Sequence, residues 1–383
     1  MSVTAADGFR AAGVAAGLKQ SGKPDVAVVV NDGPLQVAAA VFTSNRVQAA
    51  PVLWTRQCVA DGVLAAVVLN SGGANACTGP DGFADTHRTA EHAAAALEVG
   101  AGDVGICSTG LIGVRLPMPQ LLTGVTEAVA SSSPSGGMAA ANAILTTDTV
   151  TKTATASGSG FTVGGMAKGA GMLAPGLATM LCVLTTDAVL DPATADSVLR
   201  EATQRTFDRV DSDGCMSTND TVILMASGAS GVEPTAAEFA QLLQDVCADL
   251  AGQLVADAEG ASKVVAIEVV NAATESDAVT AGRSVARSNL LKCALHGEDP
   301  NWGRVLAAVG TTNAAFEPDQ ISVAINGVWV CRDGSVGEDR SGVDMTGRDI
   351  RIVVDLNAGV SKATIWTNDL TAAYVHENSA YST

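Results

Sequence analysis

Lys168-Gly-Ala-Gly-Met-Leu-Ala-Pro-Gly-Leu-Ala-Thr179-Met-Leu-Cys-Val-Leu184 sets a loop directly against a strand. Glycines at 169, 171 and 176 and the proline at 175 give the first part wide backbone freedom, and the unbroken apolar run Met180 to Leu184 reads as a buried strand. Thr179 stands at the junction. A strained peptide bond held there is open to attack by the Thr179 hydroxyl on the carbonyl of Ala178. Hydrolysis of the resulting ester frees the threonine amine, so the nucleophile carries its own base. A plain strand-initiating threonine fits the same composition, and on these residues alone both readings stand.

Outward from this stretch, short apolar runs separated by turn chemistry predict strands at Val26 to Val30, Val37 to Phe42 and Leu64 to Leu69, the last ending in the Gly-rich loop Asn70 to Asn75. Asp85 is placed to cap a helix running through the alanines to Leu97. Three stripes of helical period follow: Ala195, Val198, Leu199 and Ala202; Phe239, Leu242, Leu243 and Val246, with Thr235 and Glu238 as a capping box; and Ala278, Ala281, Gly282 and Val285. Strand-like runs lie between and after them at Thr221 to Met225, Val264 to Val270, Ile321 to Ile325 and Ile350 to Leu356. Ser131 to Gly137 and Ala154 to Gly165 read as exposed loops. Thr146-Thr-Asp148 and Thr185-Thr-Asp187 repeat one another as two strand ends would. Without a regular βαβ repeat, the fold class is α+β, in layers, rather than a doubly wound parallel sheet.

The chain has 383 residues, enough for two domains. A net charge of −18 repels phosphate backbones and anionic lipids, which argues against nucleic acid and membrane surfaces as partners. The eight cysteines form no Cys-x-x-Cys pair and no zinc-ligand spacing with a histidine, so they read as free buried thiols of a reducing cytoplasm and no metal is expected. No basic stretch followed by an apolar one opens the sequence, consistent with a cytoplasmic protein. Gly-x-Ser-x-Gly and phosphate-loop motifs are absent, and Gly158-Ser-Gly160 reads as a turn. His87 and His92 are five apart and read as helix-surface residues.

Met166 to Ala188 resembles the self-cleavage region of the ornithine acetyltransferases, the bifunctional glutamate N-acetyltransferases of arginine biosynthesis. Six further stretches match that family in order: Gly8 to Gly17, Asn70-Ser-Gly-Gly-Ala-Asn-Ala-Cys-Thr-Gly79, Ser217-Thr-Asn-Asp220, Asp257-Ala-Glu-Gly-Ala-Ser-Lys263, Asp299-Pro-Asn-Trp-Gly-Arg304 and Glu377 to Thr383. The resemblance implies a layered α/β sandwich with a second, smaller C-terminal α/β domain. It implies cleavage between Ala178 and Thr179 into an α segment, 1–178, and a β segment, 179–383, which stay together as two α and two β. It implies acetyl transfer from N-acetylornithine to Thr179 and on to glutamate, releasing ornithine and N-acetylglutamate. No cofactor is needed, and acetyl-CoA is an alternative donor. Thr109 and Gly110 take the oxyanion role, and Thr147, Lys168, Thr179, Glu259, Asn378 and Thr383 the substrate contacts. Ala258 stands where the family often has glycine. Two other readings remain: a cysteine-dependent acyltransferase using Cys107 or Cys182, and an amino-acid-binding protein without catalysis.

Overall fold

The computed structural model describes residues 2–174 and 180–380. Three mixed sheets carry the fold, each with one parallel strand pair. The first runs β1 (Phe9–Val14), β2 (Val26–Asn31), β4 (Ala66–Asn70), β5 (Val104–Ser108). The second runs β3 (Val37–Phe42), β9 (Thr221–Ala226), β8 (Leu181–Thr186), β7 (Thr162–Lys168), β6 (Lys152–Ser157). The third contains β10 (Val264–Ala272), β11 (Ser322–Ile325), β12 (Val328–Arg332), β13 (Ser335–Val336), β14 (Asp349–Asp355) and β15 (Ser361–Asn368), ordered β13-β12-β11-β14-β10-β15.

The first two sheets stack face to face. Val29, Val67 and Leu69 of one meet Met166, Val183 and Ile223 of the other, and alanines 27, 38 and 40 let the layers approach closely. Helices α1 (Ala50–Cys58) and α4 (Gly137–Ala143) lie beside this core. Outside the first sheet pack α2 (Gly79–Leu97) and α3 (Met118–Ser131), through Ala90, Ala94, Leu121 and Val125. Outside the second pack α5 (Pro192–Arg205) and α6 (Ala236–Ala256), through Leu199, Phe239, Leu243 and Leu250. The third sheet has its own core against α7 (Glu275–Ala286), α8 (Asn289–His296) and α9 (Trp302–Val309). A last helix, α10, spans Ala372–Ala380. Among the described residues no helix is long and apolar enough to cross a membrane.

The helical stripes of α5 and α7 are buried as their period requires, and β8 is buried along its length between β7 and β9. Of the capping box only one leg forms: Thr235 accepts from Glu238 N, while the Glu238 carboxylate accepts from Ser159 N.

Four expectations are corrected. Asp85 does not cap α2. The helix begins six residues earlier with Pro80 in its first turn, and Asp85 is buried within it, gripped by Arg115 Nε and Nη2, each at 2.9 Å. Ala154 to Gly165 is not an exposed loop. It is most of the β6–β7 hairpin, turning at 158–161, and its small residues are held as strands by packing against α6. Thr185 and Thr186 do end a strand, but Thr146 to Asp148 follow α4 instead. Cys77, Cys215 and Cys293 are exposed, while the other five cysteines are buried.

Candidate active site

The Gly-rich loop after β4 and the end of β5 are braced as one unit. Asn70 O accepts from Thr109 N at 3.0 Å, Asn70 Nδ2 donates to Ser108 Oγ at 2.6 Å, and Leu111 O accepts from Ala74 N at 3.1 Å. Asn219, from Ser217-Thr-Asn-Asp220, crosses both pieces by donating to Ala74 O (2.6 Å) and Ser108 O (2.8 Å). Gly110 has φ +129°, and a Cβ there would lie 2.9 Å from the Gly73 N and Cα. Only glycine fits that backbone and that approach. Gly110→Ala is therefore expected to push Thr109 and Gly110 off the Gly73 loop and lower kcat/KM by about 100-fold while the fold is retained, because misplacement of order an ångström costs that much. Steady-state kinetics with circular dichroism on the same sample check this.

One cleft collects Ala74, Thr109, Gly110, Thr146, Thr147, Lys168, Gly171, Asn219, Glu259 and Asn378. Among the described residues no acceptor takes the Gly110 N–H. Lys168, at the end of β7, is buried, and its Nζ donates to Thr109 Oγ1 at 3.4 Å. That leaves the Thr109 hydroxyl proton free. Glu259 Oε1 accepts from Thr147 Oγ1 at 2.7 Å and Oε2 from Asn378 Nδ2 at 3.0 Å. Its partners are neutral, and no ion pair engages it among the described residues. Gly171 packs so closely that a Cβ would come 2.5 Å from Glu259 Oε2. Six of the expected site residues, Thr109, Gly110, Thr147, Lys168, Glu259 and Asn378, thus share one cleft. Ala178, Thr179 and Thr383 lie outside the described residues.

Beneath the cleft runs a buried ion network that the sequence reading missed. Lys152 Nζ donates to Asp148 Oδ1 (2.7 Å) and Asp257 Oδ2 (2.6 Å), and Lys168 Nζ lies 3.9 Å from Asp148 Oδ2. Asp148 also accepts from Gly169 N (2.6 Å) and Thr146 N (3.0 Å), and Asp257 accepts from Thr149. Burial alone would raise the Asp148 carboxyl; Lys168 and Lys152 outweigh it and hold the group down at about 2. Burial pulls Lys168 below the usual lysine range, with Asp148 the main group opposing it. Burial likewise lowers Lys19 to about 8, and its Nζ donates to Leu145 O at 2.6 Å, just before the Thr146-Thr147 contacts. The signals were present: Asp148 adjoins Thr147, Lys152 follows four residues on, and Asp257 opens the motif that holds Glu259.

Cys107 and Cys182 are both buried, and burial pushes the Cys107 thiol up to about 12 and Cys182 well above its ordinary value, so neither offers a thiolate. Ser262, His296 and Asp369 form a serine, histidine and acid cluster. There Ser262 and His296 both lean on Asp369 Oδ2; the Ser262 hydroxyl donates to that carboxylate and has only a long contact, 3.4 Å, with His296 Nδ1. A wider groove between β3, α1 and α5 holds none of the expected residues.

A hydroxyl, a free glycine amide and a buried lysine on one cleft, facing a carboxylate with neutral partners, equip an enzyme of acyl transfer. A sequence profile of the ArgJ family matches residues 10–383. The chain is 69% identical to the arginine biosynthesis bifunctional protein ArgJ of Streptomyces avermitilis and 68% identical to that of Thermobifida fusca, over the full length of both partners in each case. Ornithine acetyltransferase from Mycobacterium tuberculosis, solved in complex with ornithine, is 56% identical over 47% of this chain and 96% of the solved one, with TM-score 0.43. The chain belongs to the ArgJ family.

Proposed function

We propose that this enzyme transfers the acetyl group of N2-acetyl-L-ornithine to L-glutamate through an acetyl ester on Thr179, after opening its own chain between Ala178 and Thr179. The observation that carries the reading is the meeting of Thr109, Gly110, Thr147, Lys168, Glu259 and Asn378 in one cleft, in a chain so close to relatives named as bifunctional enzymes of arginine biosynthesis.

In the first half-reaction Thr179 Oγ attacks the acetyl carbonyl and its proton passes to the threonine α-amine. The Oγ–C bond forms, and the Thr109 hydroxyl and Gly110 N–H donate to the oxyanion. The C–N bond then breaks, the proton goes to the departing nitrogen, and ornithine leaves. Glutamate reverses these steps on the ester. Glu259 receives the cationic side-chain amine of ornithine, displacing Thr147 and Asn378, while Lys168 faces the substrate carboxylate. Thr383 joins the substrate contacts from the last residue. The α segment, 1–178, and the β segment, 179–383, stay associated, since β3, β6 and β7 share a sheet with β8 and β9. They assemble as two α and two β.

The test pairs intact mass under denaturing conditions with two assays on one preparation, N-acetylornithine plus glutamate and acetyl-CoA plus glutamate. Two fragments meeting at Ala178–Thr179 and turnover in the first assay are expected. A single 38.3 kDa species with full turnover would overturn the Thr179 mechanism. The second assay decides whether acetyl-CoA serves as donor.

A further inference from the structure

Met180, bonded directly to Thr179, stands just ahead of β8. Its carbonyl accepts from Thr221 N at 3.1 Å, but its N–H finds a side chain rather than a strand partner: it donates to Asp220 Oδ1 at 3.0 Å. Asp220 immediately precedes β9, the parallel neighbour of β8, so its carboxyl spans the starting points of both strands. The residue is wholly buried, and its second oxygen, Oδ2, has no hydrogen-bond partner among the described residues, although the Ser217 and Thr43 hydroxyls lie close enough to draw its carboxyl down. The nearby Thr43 hydroxyl gives its proton to Ser217 O at 2.7 Å, and Ser217 Oγ accepts from Asn219 N at 3.1 Å.

Satisfying one amide needs one acceptor, and burying a second, idle oxygen carries a desolvation cost with no return in the strand ladder. We propose that Asp220 is a positioning residue for Thr179: through the Met180 amide it fixes the peptide unit that joins the nucleophile to β8. Burial raises this carboxyl well above the usual range, with the Met180 amide, Ser217 and Lys168 pulling the other way.

This inference rests on the Thr179 reading, and the experiment separates the two. Asp220→Asn retains an acceptor for Met180 N–H and a neutral donor beside it. Asp220→Ala retains neither. The alanine variant should open its chain at least about 10-fold more slowly, the scale set by one lost buried hydrogen bond, and once opened should show lower kcat at unchanged KM. The asparagine variant should restore both to within about 5-fold of the parent. Chain opening is followed by intact mass and turnover by the acetyl-transfer assay, with thermal melts to confirm folding. If the alanine protein does not fold, Asp220→Ser, too short to reach the Met180 amide, carries the same expectation. Parental opening and turnover in the alanine or serine variant overturns the proposal. So does a folded asparagine variant as impaired as alanine, which would make ionisation the essential property. An opened, active Thr179→Ala protein overturns the nucleophile instead.

Discussion

Thr179→Ala should leave the chain as one 38.3 kDa species and reduce acetyl transfer by at least about 10,000-fold, the scale of losing a covalent nucleophile. Two separate failures combine in that number. Without Oγ nothing attacks the Ala178 carbonyl, so the peptide bond persists and the α-amine that would act as base is never released. Without Oγ there is also no atom to carry the acetyl group between donor and acceptor. The residual rate would come from the oxyanion donors and substrate binding alone. Thr179→Ser separates the effects, because it keeps a hydroxyl on a primary carbon and should still open and still turn over, more slowly. Intact mass and single-turnover transfer from N-acetylornithine read both. An opened, active alanine protein would remove Thr179 from the mechanism, and attention would pass to the hydroxyls of Ser217 and Thr218 in the same cleft.

What the sequence made legible follows from how each element is stabilised. β8 could be read because its first four residues, Leu181 to Leu184, are apolar without a break, as a strand covered on both sides requires, and α5 and α7 because each buries a single face. The β6–β7 hairpin could not. Its threonines, serines and glycines carry no strand pattern of their own, and their pairing is enforced by β8 on one edge and α6 on one face. The start of α2 was hidden because Asp85 resembles a cap, and only the distant Arg115 explains a carboxylate inside the helix. In the site, the ordered motifs named the residues, but periodicity could not bring together Thr147 and Glu259, 112 positions apart, or reveal that Lys168 rests on Asp148. Asp220 sat within a recognised motif with no role attached. Its meaning depends on the Met180 amide from which it accepts, a contact that no linear pattern displays.

Asp148→Asn should lower the unfolding free energy by about 3 kcal/mol and impair substrate binding more as pH rises, because one carboxylate serves two buried lysines. Lys152 would keep Asp257, but Lys168 would keep no anion within 4 Å among the described residues. The stability effect has a defined pH signature. The Asp148 carboxyl is depressed to about 2 in the folded chain, below its unfolded value, so its contribution is full above roughly pH 4 and disappears as pH falls toward 2. Denaturant unfolding of the parent should therefore weaken across that window by on the order of 2 kcal/mol more than the variant does. The binding effect runs the other way in pH. Lys168 is already lowered by burial, and Asp148 is the chief group keeping it protonated. Removing that charge lowers it further, so the cation proposed to face the substrate carboxylate is lost at lower pH in the variant, and KM for glutamate should climb with pH earlier in the variant than in the parent. Equal stability at pH 7 together with superimposable KM profiles would show that the Lys152–Asp148–Lys168 network neither supports the fold nor sets the charge in the cleft.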